Sequence, residues 1–285
     1  MELNIFKKTK IRYLFIKIFC VMVLGILGLV IYSKGFKKDV NSYDIELLAV
    51  IISSLWLILV CSFLKKNNIN IEEFIGRPSR KTFVFEVPLS FLVTYIGGIG
   101  CILAMLYVFY KINPEISSIF NSELIKKETL EYSSMSIIIL SFIGSVVIAP
   151  ITEELIFRGV LLRRLYSKYG INKSIIYSSL IFFIMHLRPN PILLFLGISL
   201  GILTYKYKSL IPSITLHMLN NIIVFISDAN RLSANGANND LNINLGFLII
   251  GGAVFLIYIF YIYKNFRNIK HSLLNIKMTG ENLHG

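Results

Sequence analysis

The sequence predicts an all-α integral membrane protein. Apolar residues make up 55% of the chain and charged residues only 16%, whereas soluble domains typically carry about 25% charged residues. The apolar residues are also collected into eight runs, most of them close to the roughly 20 residues that an α-helix needs to cross the hydrocarbon core of a bilayer. Because an open sheet cannot satisfy its backbone hydrogen bonds in lipid, such runs predict helices.

The eight runs are the candidate helices. The first run follows a basic segment and has the layout of a signal peptide, but no small-x-small cleavage site follows it and it is long enough to span the membrane. We therefore assign it as the first helix. The fifth and sixth runs are short for complete spans. In chain order the runs cover residues 13–32, 45–64, 84–110, 134–157, 174–187, 191–205, 210–226 and 245–263.

These helices form one membrane domain with three parts. Residues 1–133 hold the first three helices, residues 134–227 hold the four helices with polar motifs, and residues 228–285 hold the last helix and a basic tail. Most lysines and arginines fall in the N-terminal segment, in alternate loops and in the tail, so the positive-inside rule predicts that both termini are cytoplasmic. The 111–132 loop and the Asn-rich 227–244 loop are then external, and we expect little structure in either.

The net charge of +13 does not indicate a nucleic-acid partner. The basic residues lie in short clusters between apolar runs, and no basic patch with interleaved aromatic residues stands outside the membrane segments. Charge that flanks membrane helices explains this distribution. Membrane lipid is therefore the predicted partner of the basic residues, and the tail from 264 to 285 is expected to lie on the inner leaflet as a short basic helix.

Three charged residues, Glu153, Glu154 and Arg158, end a run that carries no formal charge from Tyr132 to Thr152. A charged side chain at bilayer depth costs from a few kcal/mol to roughly 10 or more, so such residues are rare and usually functional. Glu154 and Arg158 have the i, i+4 spacing and the order that favour an ion pair. Glu153 lies about 100° round the helix and has no partner there. The pattern predicts one neutralised and one available carboxylate, unless the helix simply ends in solvent.

Further polar residues lie in the later apolar runs. His217 and Asn221 are spaced i, i+4 and share a helix face, as do Phe182 and His186 on an earlier helix. At about 1.5 Å rise per residue, Glu153, His186 and His217 lie at similar distances from basic residues of one membrane face. We therefore expect them near the middle of the roughly 30 Å core. Singly, such residues usually hydrogen-bond a neighbouring helix, but together they predict a polar cavity within the bilayer.

This set of residues fits the chemistry of peptide hydrolysis. A carboxylate with a neutral histidine can hold and deprotonate a water molecule. A second histidine and an asparagine on one helix face can donate hydrogen bonds to the oxyanion that forms when water attacks a carbonyl group. The hypothesis assigns the first role to Glu153 and His186 and the second to His217 and Asn221. The ion pair next to Glu153 would fix the geometry.

Three motifs occur in order, each on its own apolar segment: Glu153-Glu154-x-x-x-Arg158, Phe182-x-x-x-His186 and His217-x-x-x-Asn221. Together they resemble the signature of the CAAX-protease and bacteriocin-processing family of intramembrane glutamic endopeptidases, also called Abi proteins. The resemblance covers about 80 residues, from Ala149 to Ile226. No motif position departs from the family pattern, whereas the first three helices and the last carry no family signal.

The resemblance implies an eight-helix membrane fold and an endopeptidase that uses neither metal nor another cofactor. The family's eukaryotic members cleave prenylated proteins behind the modified cysteine, and its bacterial members are linked to peptide maturation, signalling or self-immunity to bacteriocins. The implied partner is a peptide or lipidated protein substrate, and the oligomeric state is open. By family position the catalytic residues are Glu153, His186, His217 and Asn221, and the supporting residues are Glu154, Arg158 and Phe182.

Two other hydrolase classes are possible from the residues alone. A zinc-dependent membrane metalloprotease would use Glu153, His186 and His217 as ligands, but the H-E-x-x-H motif is absent and the three cysteines show no zinc-ligand spacing. A serine hydrolase is suggested by the literal G-x-S-x-G match at 197–201. That motif needs a strand-turn-helix elbow, and inside an apolar helical run its two glycines fit a helix-packing face better.

A third alternative is not catalytic. The same polar cavity would suit a transporter that carries an ion, or a peptide-binding immunity protein that sequesters its ligand. The three intact motifs favour the protease. Loss of hydrolysis of every substrate on replacing Glu153 would distinguish a protease from a transporter.

Overall fold

The computed structural model describes residues 5–7, 9–37, 39–125, 134–186, 190–231 and 243–281. Within these ranges every regular element is a helix. Most of the Asn-rich 227–244 loop, for which little structure was predicted, and the last residues of the tail lie outside the described residues. In chain order the helices are α1 (Arg12–Phe36), α2 (Ser42–Lys66), α3 (Ile71–Ile75), α4 (Phe83–Ile112), α5 (Pro114–Ile125), α6 (Met135–Tyr169), α7 (Ile171–Met185), α8 (Pro191–Tyr207), α9 (Ile211–Arg231) and α10 (Leu245–Glu281).

The apolar helices coincide with the eight predicted runs. Five of them, α1, α2, α4, α6 and α10, are long and apolar enough to cross a membrane. Three shorter apolar helices are α7, α8 and the part of α9 that ends at Ser227. The prediction of an all-α fold is therefore confirmed, and the chain is a multi-pass membrane protein.

Two predictions about the connections are wrong. The 111–132 loop has structure of its own, because α5 begins at Pro114, directly after α4. The side chain of Asn113 accepts a hydrogen bond from the backbone N–H of Glu115 at 2.8 Å, and a proline is well tolerated in a first helical turn. The tail does not form a separate surface helix, since α10 continues without a break to Glu281. No glycine or proline interrupts the sequence between Tyr263 and Lys277.

The helix that carries the charged motif, α6, is not uniform. Two π-helical segments, Phe142–Ile148 and Leu155–Leu161, flank one α-helical segment, Ala149–Glu154. At the junction the backbone N–H of Ala149 donates to the carbonyl of Gly144, five residues back. Segments of π-helix are rare and are frequently found at functional sites. The i, i+4 periodicity of the sequence predicted a regular α-helix and did not indicate this change.

Adjacent arginines at the end of α6 hold two peripheral segments at one edge of the bundle. The guanidinium group of Arg163 is buried, donates to the carbonyl of Phe74 in α3 and lies 4.4 Å from the centre of the Phe74 ring. Arg164 donates to the carbonyls of Phe6 and Lys7. The N-terminal segment, α3 and the end of α6 therefore lie at the same edge.

Close backbone contact joins α4 to α10. A Cβ atom built on Gly251 would lie 2.7 Å from the carbonyl oxygen of Gly100 and 2.8 Å from the backbone nitrogen of Ala104. Both neighbours are backbone atoms, so neither can move aside without displacing its helix. By contrast, a Cβ atom on the next residue, Gly252, would meet nothing within 4 Å.

This pair of glycines allows a matched test of the packing. Gly251→Ala is expected to lower the free energy of unfolding by about 1–3 kcal/mol, because the added methyl group overpacks the contact between α4 and α10. Gly252→Ala is expected to be neutral or to stabilise by up to about 1 kcal/mol, because alanine favours a helix. Unfolding of both purified variants in detergent measures the difference. Equal effects would contradict the close contact.

The G-x-S-x-G match lies inside α8 and serves packing. Added Cβ atoms on Gly197 and Gly201 would lie 2.9 Å and 3.0 Å from side chains of α7, those of Ser179 and Ile175. The hydroxyl of Ser199 is buried and forms a 2.7 Å hydrogen bond with Thr94 of α4. The helix-packing interpretation of this motif is therefore confirmed, and α8 is continuous where a nucleophile elbow would need a turn.

Candidate active site

The Glu153 carboxylate lies between two imidazole rings. Its Oε2 atom is 3.9 Å from Nε2 of His186 and 3.8 Å from Nε2 of His217. These distances are too long for direct hydrogen bonds, and Oε2 has no hydrogen-bond partner among the described residues. The Glu153 side chain is 19% exposed. One carboxylate oxygen and two imidazole nitrogens, from α6, α7 and α9, thus converge on one point.

His186 follows the last residue of α7, and its own helix fixes its ring. The Nδ1 atom lies 2.8 Å from the carbonyl oxygen of Phe182, one turn earlier. Because a carbonyl can only accept a hydrogen bond, Nδ1 carries the proton. In the neutral ring Nε2 is then an acceptor, and it is this nitrogen that faces Glu153. The His186 side chain is 28% exposed, so it forms the more open side of the site.

Glu154 belongs to a separate buried network. Its Oε1 atom accepts a hydrogen bond from Arg158 at 2.8 Å and lies 3.0 Å from Nδ1 of His217. Arg158 also donates to the carbonyl oxygen of Gly197 in α8 at 3.1 Å. Both members of the ion pair are fully buried. The predicted i, i+4 pair is therefore present, and it holds His217 with its Nε2 atom toward Glu153.

The Phe182 ring connects these groups by packing. Its centre lies 4.4 Å from the centre of the His186 ring and 5.7 Å from that of His217. On a third side the Arg158 guanidinium carbon lies 4.4 Å from the ring centre, which is cation–π distance. Phe182 is fully buried. Its contacts with both histidine rings limit their movement.

Asn221 is hydrogen-bonded to the backbone of α6, not to Glu153. Its Nδ2 atom donates to the carbonyl oxygen of Ser145 in α6 at 2.7 Å. That carbonyl is free because the π-helical register pairs Ala149 with Gly144, and the next residue, Pro150, has no N–H to donate. Asn221 thus satisfies a backbone group that the helix leaves unpaired, and one N–H of its amide stays available.

The structure adds two side chains that the sequence did not single out for a role. Asn220 donates to Oδ1 of Asn221 at 2.7 Å and accepts from the hydroxyl of Tyr95 at 2.9 Å. This chain of hydrogen bonds orients the Asn221 amide from α4. The adjacent asparagines were visible in the sequence, but nothing in it marked Tyr95, which is one of many aromatic residues in an apolar span.

A metal site would need at least three suitable ligands at one point. Among the described residues, no group of three or more His, Cys, Asp or Glu side chains has an arrangement that could hold a metal ion. The three cysteines are free and lie in α1, α2 and α4. Glu153, His186 and His217, the ligands of the zinc alternative, are thus not arranged as a metal site among the described residues, and activity in the presence of a chelator is the test of that alternative.

Comparisons with known proteins bear on the same part of the chain. Residues 135–223 match the family described as type II CAAX prenyl endopeptidase Rce1-like. The matched region runs from the start of α6 into α9 and contains every motif residue discussed above. The comparisons with curated proteins and with solved structures found no match. The family match indicates a membrane protease of the CAAX type, over the part of the chain that carries the three motifs.

Proposed function

We propose that the protein is an intramembrane glutamic endopeptidase that hydrolyses a peptide bond with water activated by Glu153 and His186. The observation that carries this proposal is the convergence of Glu153 Oε2 with the two Nε2 atoms, each within 4 Å. The Glu153 and His186 side chains are partly exposed, and the buried Glu153 Oε2 has no hydrogen-bond partner among the described residues, which leaves it free to accept from a water molecule. The neighbouring carboxylate, Glu154, is buried and already paired, and it is left to support the site.

The position of the nucleophilic water follows from the acceptors. Glu153 Oε2 and His186 Nε2 both accept hydrogen bonds and lie 3.9 Å apart. A water molecule between them can donate one proton to each at about 2.8 Å, the usual length of such a bond. Its lone pairs are then directed at the substrate carbonyl. As the C–O bond forms, the water proton passes to Glu153, and the same proton is later delivered to the amine that leaves.

The oxyanion would be stabilised by His217 and Asn221. Since Nδ1 of His217 donates to Glu154, donation from Nε2 as well requires the imidazolium form. Arg158 already balances Glu154, so the carboxylate that balances this second cation is Glu153, 3.8 Å from Nε2. Asn221 contributes the amide N–H that does not bind the Ser145 carbonyl. Donors held in this way before the reaction need no reorganisation as charge develops on the substrate.

The substrate we propose is a peptide or a lipidated protein that reaches the site within the membrane, and a prenylated C-terminal segment follows from the family description. We further infer that both termini are cytoplasmic. This orientation rests on the distribution of lysines and arginines. The contacts of Arg163 and Arg164 support it, because they bring the N-terminal segment and the basic 65–81 loop, which contains α3, to the same edge of the bundle.

Hydrolysis by the purified full-length protein in detergent tests the proposal. The substrates are a quenched fluorescent peptide library, together with farnesylated and unmodified peptides that end in C-a-a-X. Each is tested with and without a strong zinc chelator, and Glu153→Ala serves as the blank. Cleavage that survives the chelator and is absent from the variant supports the glutamic mechanism, and the ratio for the two C-a-a-X peptides measures the need for a prenyl group.

The other outcomes point to the alternatives. Cleavage lost on chelation would replace the glutamic mechanism by a zinc-dependent one at the same residues. Absence of cleavage of every substrate by a folded wild-type protein would contradict peptidase activity on these substrate classes and favour a peptide-binding or transport role.

Asn221→Ala is expected to lower kcat by about 10²–10³-fold with little change in KM, because an oxyanion donor acts mainly in the transition state. Tyr95→Phe is the comparison, since it removes only the hydroxyl that orients Asn220 and keeps the donors of Asn221. Its effect on kcat is expected to stay below about tenfold. Steady-state kinetics on the best cleaved peptide measures both. A change confined to KM in Asn221→Ala would contradict the oxyanion role.

A further inference from the structure

A second polar cavity, of about 590 Å³, lies at an edge of the bundle. It is bounded by the segment before α4, by the end of α8 and by α10 where that helix leaves the membrane. None of the residues that surround Glu153 lines it. The lining side chains that matter here are Arg80, Thr82, Glu86, Lys206, Tyr207 and Lys208, with Asn265 and Asn268 on the α10 side.

The walls of this cavity are tied together by Tyr207. Its hydroxyl donates to Oε2 of Glu86 at 2.5 Å and lies 3.2 Å from the hydroxyl of Thr82. Its carbonyl oxygen accepts from the backbone N–H of Ser79 at 3.0 Å. Tyr207 is buried. The loop before α4 is thus fixed to the end of α8, and the cavity is formed before any ligand binds.

The charges in the cavity do not balance. Glu86 is its only acidic lining residue, and both of its oxygens are used, Oε1 by Lys206 at 2.5 Å and Oε2 by Tyr207. Arg80 and Lys208 line the same cavity and have no carboxylate partner among the described residues. Two cations therefore stand beside polar walls, and no carboxylate in the described part of the chain neutralises them.

The position of the cavity indicates where a ligand would come from. The apolar helix α8 ends at Tyr207, and α4 begins at Phe83, so both meet the cavity at their membrane boundary. Asn265 and Asn268 lie in the last turns of the part of α10 that is apolar enough to span the membrane. Because the apolar helices end here, lipid headgroups and their phosphates are expected at this level. Topology explains an excess of basic residues on one face, but it does not predict a preformed cavity around two of them.

We propose that this cavity binds a phosphate group, with Arg80 and Lys208 as the charged donors. Guanidinium and ammonium groups are the side chains that most often recognise phosphate in proteins, and the volume lies in the range of small-ligand sites. The phosphate can belong to the headgroup of an anionic phospholipid or to a soluble phosphate compound. Both present the same chemistry to the two cations.

Binding is measured with the purified full-length protein in a neutral detergent, by the ligand-induced rise in its unfolding temperature. The probes are a water-soluble short-chain phosphatidylglycerol, the matching phosphatidylcholine, and inorganic phosphate. The test variant is Arg80→Gln/Lys208→Asn. Asparagine is chosen because Lys208 has a φ of 50°, which asparagine tolerates better than most residues.

A matched control exists in the same chain. Arg77→Gln/Lys37→Asn removes the same charges, from the loop that also holds Arg80 and from a second lysine with a φ of 50°, and neither residue lines the cavity. The cavity variant is expected to weaken anion binding at least about tenfold, because two charge-assisted contacts are lost. The control is expected to change it less than about twofold, since exposed charges elsewhere contribute little.

Saturable binding of phosphatidylglycerol alone, lost in the cavity variant, supports a lipid headgroup site. Binding of inorganic phosphate as well, lost in the same variant, supports a phosphate site that a soluble compound can fill. Equal binding of phosphatidylcholine, no loss in the cavity variant, an equal loss in the control, or no saturable binding by the wild type would overturn the proposal. If the double variant does not fold, Arg80→Gln and Lys208→Asn alone carry the same test, because both side chains are exposed.

Discussion

Glu153→Gln is expected to lower kcat for peptide hydrolysis by about 10³-fold or more, with KM changed little. General-base catalysis typically contributes about 10²–10⁴-fold, and a glutamine of the same size cannot accept the proton that water gives up. The effect falls on kcat because the lost interaction forms only as the water is deprotonated. Steady-state kinetics on the best cleaved peptide measures the effect. The amplitude of the unfolding transition gives the concentration of folded protein by which the rates are divided.

Glu46→Gln is the matched control for that variant. Glu46 is another half-buried carboxylate in an apolar helix, α2, and its side chain hydrogen-bonds Ser141, a contact that glutamine can keep. We expect its activity within about twofold of wild type, because the residue lies outside the machinery proposed above. Retention of more than a tenth of the wild-type kcat by Glu153→Gln would mean that another group accepts the proton.

Arg158→Met is expected to lower the free energy of unfolding by about 3–5 kcal/mol, because it leaves the buried Glu154 carboxylate without its cation. Both side chains are fully buried, and the carboxylate would keep only its contact with His217. The Gly197 carbonyl in α8 would also lose the hydrogen bond that the Arg158 side chain donates to it. Titration with a denaturing detergent in mixed micelles measures the change in the purified protein.

The double variant Glu154→Gln/Arg158→Met separates charge from packing. If the cost of Arg158→Met comes from an unpaired buried charge, removal of the charge at Glu154 should recover part of the lost stability. The glutamine can still accept a hydrogen bond from His217. A double variant no more stable than Arg158→Met would show instead that the arginine acts through packing on Phe182 and its bond to α8.

The membrane helices could be predicted because the signal for each of them, a long apolar run, lies within its own sequence. Runs such as 13–32 need only composition and length, so the start of each membrane helix was predicted within three residues. The ends of α6 and α10 were not, since both helices continue beyond their apolar runs into polar residues. The short helix α3 has no such apolar run. Its five residues are too few to show a helical periodicity of apolar side chains. Two contacts hold it instead: the side chain of Asn70 accepts a hydrogen bond from the Glu72 N–H at 2.8 Å, and Arg163, far along the chain, donates to the carbonyl of Phe74.

The site was predictable where it depends on side-chain spacing and not where it depends on backbone atoms. The Glu154–Arg158 pair follows from i, i+4 spacing, and the depth of each helix anticipated that Glu153, His186 and His217 come together. The carbonyl of Gly197 carries no residue-type signal. Neither does the free carbonyl of Ser145, because it results from a change of helical register that the periodicity of α6 does not reveal.

The short helix α7 has a consequence for the lipids around it. Its 15 residues make a rod of about 22 Å, against a hydrocarbon core of about 30 Å. Its exposed side chains, Ile176, Leu180 and Ile184 among them, can meet acyl chains over that length only, and local thinning of the bilayer is one expected response to so short an apolar helix. We expect the thinning where α7 ends, next to His186, and it would bring headgroup water toward the ring. Acyl-chain length therefore becomes a variable of the reaction, with faster turnover in thin bilayers than in thick ones.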